Sequence, residues 1–180
     1  MKKLLCILLA FTFLLLSGCG STADKESANA VAIDFISAFQ RQDFDFMYNL
    51  TADQAPYYEN AYNPDQELNV AVFKALAENM TYSITKTEIK GDEANVFYNL
   101  RTLNAESLMA GIIEDLKENP NDDINTIMER QIVLCPRKQI DTVINMDRSG
   151  DSWTIESNVG IYDDLAGGFL QFIYNAGFVK

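Results

Sequence analysis

The chain reads as an α+β domain: N-terminal helices packed on a curved antiparallel sheet, a helical insertion in mid-sheet and a helix at the C-terminal end. Three observations predict this. Glu93 to Leu103 alternates, with Ala94, Val96, Tyr98 and Leu100 on one face and Asn95, Asn99 and Arg101 on the other, the period-2 signature of a half-buried strand. Lys138 to Asp147 alternates again through Ile140, Thr142, Ile144 and Met146. The helical patterns are grouped before, between and after these strands, and such grouping favours an antiparallel α+β sheet over βαβ units.

Taken in order, Ala28, Ala32, Phe35 and Phe39 fall at helical spacing, with Val31 and Ile36 widening the stripe. Asp43 is placed to cap a short second helix bearing Phe46, Met47 and Leu50. Asp53 to Glu67 contains Pro56, Pro64 and the cluster Tyr57, Tyr58, Tyr62, and reads as a loop. Leu68 to Asn79 is a helix with Val72, Leu76 and Met80 along one face. Thr81 to Lys90 is rich in β-branched residues and Gly91-Asp92 supplies a turn into the next strand, so the pair reads as a hairpin.

Between the two alternating stretches, Asn104 is placed to cap a helix with Leu108, Ile112, Ile113 and Leu116 as its stripe. Asn119-Pro120 ends it, and Ile124, Ile127 and Met128 mark another. Pro136 fits a strand entrance because it cannot donate to a central ladder. Ser149-Gly150-Asp151 turns the chain into a last strand, Ser152 to Ser157, which carries Trp153 and Ile155 inward. Asn158 is expected to cap one final helix with Ile161, Leu165, Phe169 and Phe172 along a side, stopping at Gly177. Gly167-Gly168, inside this stretch, is expected to allow a close helix–sheet contact.

The first nineteen residues decide where such a domain works. Lys2 and Lys3 precede an unbroken apolar run, Leu4 to Leu16, which is an export leader too short to span a bilayer as a helix. The ending Leu16-Ser17-Gly18-Cys19 resembles a bacterial lipobox. That resemblance implies cleavage between Gly18 and Cys19, and acylation (diacylglyceryl and N-acyl, palmitate-type chains) of Cys19. The expected organisation is a leader over 1–18, a lipidated tether over 19–27 and a single domain over 28–180. Loss of the two leader lysines takes the formal charge from −12 to −14. This argues against nucleic-acid partners and against an electrostatic hold on anionic lipid. The lipid bilayer is reached through the acyl chains on Cys19, and the expected location is the extracytoplasmic face of the cell membrane.

The helix ANAVAIDFISAFQRQDFDFMYNLT, the strand GDSWTI (Gly150 to Ile155) and the run Asp163-Asp164-Leu165-Ala166-Gly167-Gly168 resemble the nuclear transport factor 2-like (cystatin-like) superfamily. More narrowly, the chain is similar to lipoproteins of Gram-positive type that carry domains of this fold. The resemblance implies a cone-shaped sheet with a helical insertion in mid-sheet. It implies little about activity, since this fold hosts isomerases, dehydratases, carriers and interaction modules.

Composition narrows the chemistry. The chain has no histidine, which removes Ser-His-Asp and Cys-His nucleophiles and an imidazole base. Cys6 leaves with the leader and Cys19 carries lipid, so Cys135 has no partner within the chain and reads as a small buried residue. Asn121, Asp123 and Asn125 imitate the first ligands of a calcium loop, but Thr126 stands where that loop needs Gly and Ile132 where it needs Glu. A polar turn is the better reading, and no metal or cofactor is expected. Tyr98 and Asp141 lie on opposite faces of their strands, so periodicity does not pair them. Tyr57, Tyr58, Tyr62 and Tyr98 are the candidate contacts for a pocket or a protein partner. The expected function is a non-enzymatic binding or interaction domain on a lipid-anchored protein. The alternatives are a carrier of a small apolar ligand in the cone, or an enzyme using carboxylate and tyrosine chemistry.

Overall fold

The computed structural model describes residues 21–54, 57, 58 and 61–177; the leader, Gly18 and Cys19 lie outside the described residues. The elements are α1 (Thr22–Gln40), α2 (Phe44–Asn49), α3 (Glu67–Glu78), β1 (Thr81–Lys90), β2 (Glu93–Leu103), α4 (Ala105–Glu118), α5 (Ile124–Leu134), β3 (Arg137–Ser149), β4 (Ser152–Ile155), α6 (Val159–Leu165) and α7 (Phe169–Asn175). The four strands form one antiparallel sheet in the order β1-β2-β3-β4. The predicted class, helices on an antiparallel sheet with a helical pair between its second and third strands, is the architecture of the chain.

The alternation of β2 decides which face is covered. Ala94, Val96, Tyr98 and Leu100 are buried, while Asn95, Phe97 and Asn99 on the other face are partly open. Ile144, Met146, Trp153 and Ile155 continue the buried face across β3 and β4. Onto it α1 lays Ala28, Ala32, Phe35, Ile36 and Phe39, all fully buried. The small Ala28 and Ala32 let the helix approach closely, and the two rings fill the space beyond. Trp153 packs under the guanidinium of Arg148, 4.4 Å from its ring centroid, and Arg148 pairs with Asp24 in the first turn of α1. This locks the start of α1 to the hairpin end of the sheet.

Three expectations need correction. Of the stretch 19–27 read as a tether, the described part is helical from Thr22. Ser21 and Asp24 form a capping box, with the Asp24 amide donating to Ser21 Oγ at 3.1 Å and the Ser21 amide donating back to the Asp24 carboxylate at 3.1 Å; this satisfies donors that would otherwise fray the first turn. The buried stripe of α4 is Ala105, Leu108, Ile112 and Asp115, whereas Ile113 and Leu116 are 42% and 38% exposed. The stripe is rotated because a carboxylate occupies one of its core positions. Asp115 accepts from Arg130 Nε (2.9 Å) and Nη2 (2.6 Å), Gln131 Nε2 (2.8 Å) and Asn119 Nδ2 (2.9 Å). Arg130 above all holds its pKa well below the ordinary carboxylate value, and the network ties α4 to α5. Asp123, the calcium-loop mimic, spends its side chain capping α5 through the Thr126 amide.

The third correction is the C-terminal helix, which is two helices. Gly167 and Gly168 take φ of +62° and +91° and break it. Gly167 presses on the end of β2, where an added Cβ would stand 2.2 Å from the Leu103 carbonyl oxygen, and its own carbonyl accepts from the Ala105 amide at 3.2 Å. The close approach anticipated from the glycine pair is present, but at a sharp corner. Gly167→Ala should therefore cost clearly more than the roughly 1–2 kcal/mol of a left-handed alanine. Gly150→Ala, with φ +65° and open space around it, should cost only that amount. Equal losses for the two variants in urea titrations would show that the backbone clash is absent.

A candidate binding cleft beside the last helix

The loop after α2 supplies one wall of the site. It is pinned at both ends: the Ile155 amide donates to Leu50 O and the Ala52 amide to Ile155 O, each at 2.9 Å, and Asn69 of α3 donates to Ala61 O at 2.6 Å while accepting from the Asn63 amide at 2.7 Å. Within it the tyrosine cluster divides. Tyr58 is wholly buried, its hydroxyl donating to Tyr162 O at 2.6 Å and its amide to the Tyr48 hydroxyl at 3.0 Å. Burial pushes its pKa far above the ordinary phenol value. Tyr62 is half-buried against Phe44 and Phe73, with ring centroids 5.0 and 5.2 Å away. Tyr57 alone of the three lines a cleft, its ring lying 4.6 Å from that of Tyr162.

That cleft, of about 510 Å³, lies between the loop, the start of α6 and α7. Its walls are Tyr57, Ala61, Val159, Leu170, Ile173 and Tyr174, with Asp163 the one charged side chain among the described lining residues. Val159 and Tyr174 are 56% and 70% exposed. A second cleft of about 490 Å³ adjoins it at Ala61 and Ile173 and runs along Leu68, Met109, Ile113 and Phe172. The Ile113 side chain that failed to enter the core faces this groove. Volumes of this size are those of small-molecule sites. Sequence reasoning missed Val159, Asp163 and Tyr174 because all three lie off the apolar stripe used to recognise the terminal helix.

Tyr98 is elsewhere. It is 1% exposed beneath the helices and lines none of the three clefts described. Its hydroxyl has no hydrogen-bond partner of normal geometry. The polar groups acting on it are Thr142, opposite in the β2–β3 register, and the carboxyl of Asp164 on α6. Burial first, and Asp164 second, push its pKa upward. Asp164 is itself raised by burial, opposed by Thr142. Asp141 stays on the open face, accepting from Asn99 Nδ2 at 2.6 Å. Cys135 is buried, its thiol 3.4 Å from the carbonyls of Asn104 and Pro136, and burial raises its pKa. Such a thiol is protonated and inert at neutral pH. Among the described residues there is no cluster of three or more Cys, Asp or Glu able to hold a metal ion, and no helix long and apolar enough to cross a membrane.

No family model matches the chain, and no curated protein matches it. Solved structures overlap it, among them these two. One is a candidate dehydratase of the nuclear transport factor 2-like family from Streptomyces avermitilis, 17% identical, covering 75% of this chain and 93% of its own, with a TM-score of 0.39. The other, from Bacillus subtilis, is named as a candidate lipoprotein; it is 13% identical and the overlap covers 89% of this chain with a TM-score of 0.37. The chain spans about half, 54%, of the length of that second protein. Overlaps this loose decide neither family nor activity.

Two measurements check the buried polar groups. Tyr58→Phe should lose about 0.5–1.5 kcal/mol, the net worth of one hydrogen bond, whereas Tyr98→Phe, which deletes an unpartnered hydroxyl, should be neutral or stabilising. A larger loss at Tyr98 than at Tyr58 would reverse the assignment. For Asp164 the folded pKa lies above the unfolded one, so the unfolded state releases its proton first and stability falls as pH rises through the carboxylate range. Asp164→Asn should then raise the unfolding midpoint at pH 7 and lose that advantage near pH 3. A gain that does not depend on pH would exclude desolvation of this carboxylate as the cause.

Proposed function

We propose that the chain is an extracytoplasmic lipoprotein, anchored through acylated Cys19, whose nuclear transport factor 2-like domain binds an apolar ligand or partner without catalysing a reaction. The observation that carries the binding role is the open apolar cleft beside α7. Exposed Val159 and Tyr174 stand beside the buried Leu170 and Ile173, and the first two carry a cost in solvation that a bound apolar group would recover. The carrier reading moves with it, from the interior of the cone to its flank. Phe35, Phe39, Tyr58, Phe73 and Tyr162 pack closely in the layer between helices and sheet, three of their contacts edge against face and the Phe39–Tyr58 contact tilted, at centroid separations of 5.3–5.6 Å. Catalysis by Tyr98 and a carboxylate is disfavoured by the enclosure of Tyr98, which leaves no path for a substrate to reach its hydroxyl.

Anchoring and binding are tested together. Cells fed a radioactive fatty acid should label the wild type and not Cys19→Ala; equal labelling would sink the anchor. With the full chain in phospholipid nanodiscs, octyl glucoside below its micellar concentration should bind, with empty discs as the blank. Tyr174→Glu, a change at an exposed position, should weaken that binding about tenfold without moving the unfolding midpoint. Failure of any alkyl probe to bind would remove the cleft from consideration.

A further inference from the structure

We infer that the cleft selects a positively charged amphiphile, the alkyl chain lying along Val159, Leu170 and Ile173 and the cationic head at Asp163. The inference rests on the binding role proposed above and adds the ligand's charge. Asp163 is half-buried at the joint between α6 and α7. One carboxylate oxygen is held in place by the Gln171 amide at 2.9 Å. Its other oxygen has no partner among the described residues. No Lys or Arg shares the lining of this cleft or of the adjoining one among the described residues. An anionic head would therefore meet a carboxylate with nothing to neutralise it, while a cation would complete a pair in a partly desolvated site.

Two further features favour the same sign. Tyr57 and Tyr174 belong to the same lining as Asp163, and phenol faces attract ammonium groups through the ring quadrupole. The chain carries a formal charge of −12, whose field raises the local concentration of cations. Apolar walls, one carboxylate and two tyrosine rings match an alkylammonium in both of its parts. The joined volume of the two clefts is that of a small molecule, not of a folded partner.

The test compares three probes with one eight-carbon tail: octyltrimethylammonium, octyl glucoside and octyl sulfate. Each is titrated against the full chain in zwitterionic nanodiscs, with empty discs subtracted. The expected order is cation over neutral by about fivefold or more, with the sulfate weakest. Asp163→Asn keeps an acceptor for the Gln171 amide and removes the charge. It should bring the cation down to the level of the glucoside measured on the same variant. Equal affinity for the cation and the glucoside in the wild type would overturn the inference, as would a preference that survives Asp163→Asn. Absence of binding by all three would instead remove the underlying cleft reading. A basic amphipathic peptide that outcompetes octyltrimethylammonium and spans beyond the cleft would replace the small amphiphile with a protein segment.

Discussion

Burial of a single tyrosine ring holds the domain in register. Tyr58 belongs to a loop, yet its ring meets Phe39 of α1, Phe44 of α2, Phe73 of α3 and Tyr162 of α6, with centroids 5.0–5.6 Å away. Its hydroxyl then caps the contact by donating to a backbone carbonyl of α6. The contacts with Phe73 and Tyr162 are edge-to-face and those with Phe39 and Phe44 tilted; ring pairs of this kind contribute beyond their buried area, so this one side chain fastens four helices to one another above the sheet. The neighbouring Tyr57 and Ala61 inherit their positions from it. The wall of the cleft is thus an extension of the core, and its stiffness comes from an aromatic contact that no ligand touches.

Most of the fold was legible because it rests on short-range rules. The alternation of Ala94, Val96, Tyr98 and Leu100 marked the buried face, and Asp43, Asn104 and Asn158 all cap the helices assigned to them. What escaped depends on contacts distant in sequence. Asp115 was invisible as a core position because its partners Arg130 and Gln131 lie on another helix. The bridge between Thr51 and Ile155 joins residues a hundred positions apart, and no local pattern announces it. Asp164 and Tyr98 likewise meet only because α6 folds back over β3. The apolar stripe ending in Phe172 concealed the break at Gly167-Gly168, since periodicity records which residues want burial and not whether one straight axis can deliver it.

The distribution of polar groups separates the interior from the flank. Among the described residues, three buried hydroxyls, on Tyr98, Thr102 and Tyr162, have no hydrogen-bond partner of normal geometry, and each is costly to keep dry. Around Tyr162 the rings of Phe35, Tyr48, Tyr57 and Tyr58 pack closely, a gain that offsets part of that cost. The flank is the reverse: few polar groups, one carboxylate, and apolar side chains left open to water. Evolved domains commonly tolerate such local losses where a ligand or partner is to be received.

The capping box at the head of α1 has a consequence for how the domain stands. Ser21 is two residues past Cys19, so with the anchor proposed there, at most about 7 Å of chain separates lipid from helix. Asp24 pairs with Arg148 at the Gly91 and Gly150 end of the sheet, so the proposed anchor would hold that end near the bilayer. Strand β2 climbs away from it for 11 residues, about 35 Å at the usual rise, before reaching Leu103 and the glycine corner from which α7 springs. Were the chain anchored at Cys19 as proposed, the domain would stand upright, with its last helix attached to the pole farthest from the leaflet. In that arrangement a molecule would reach the corner through water, and not by lateral diffusion among the lipids.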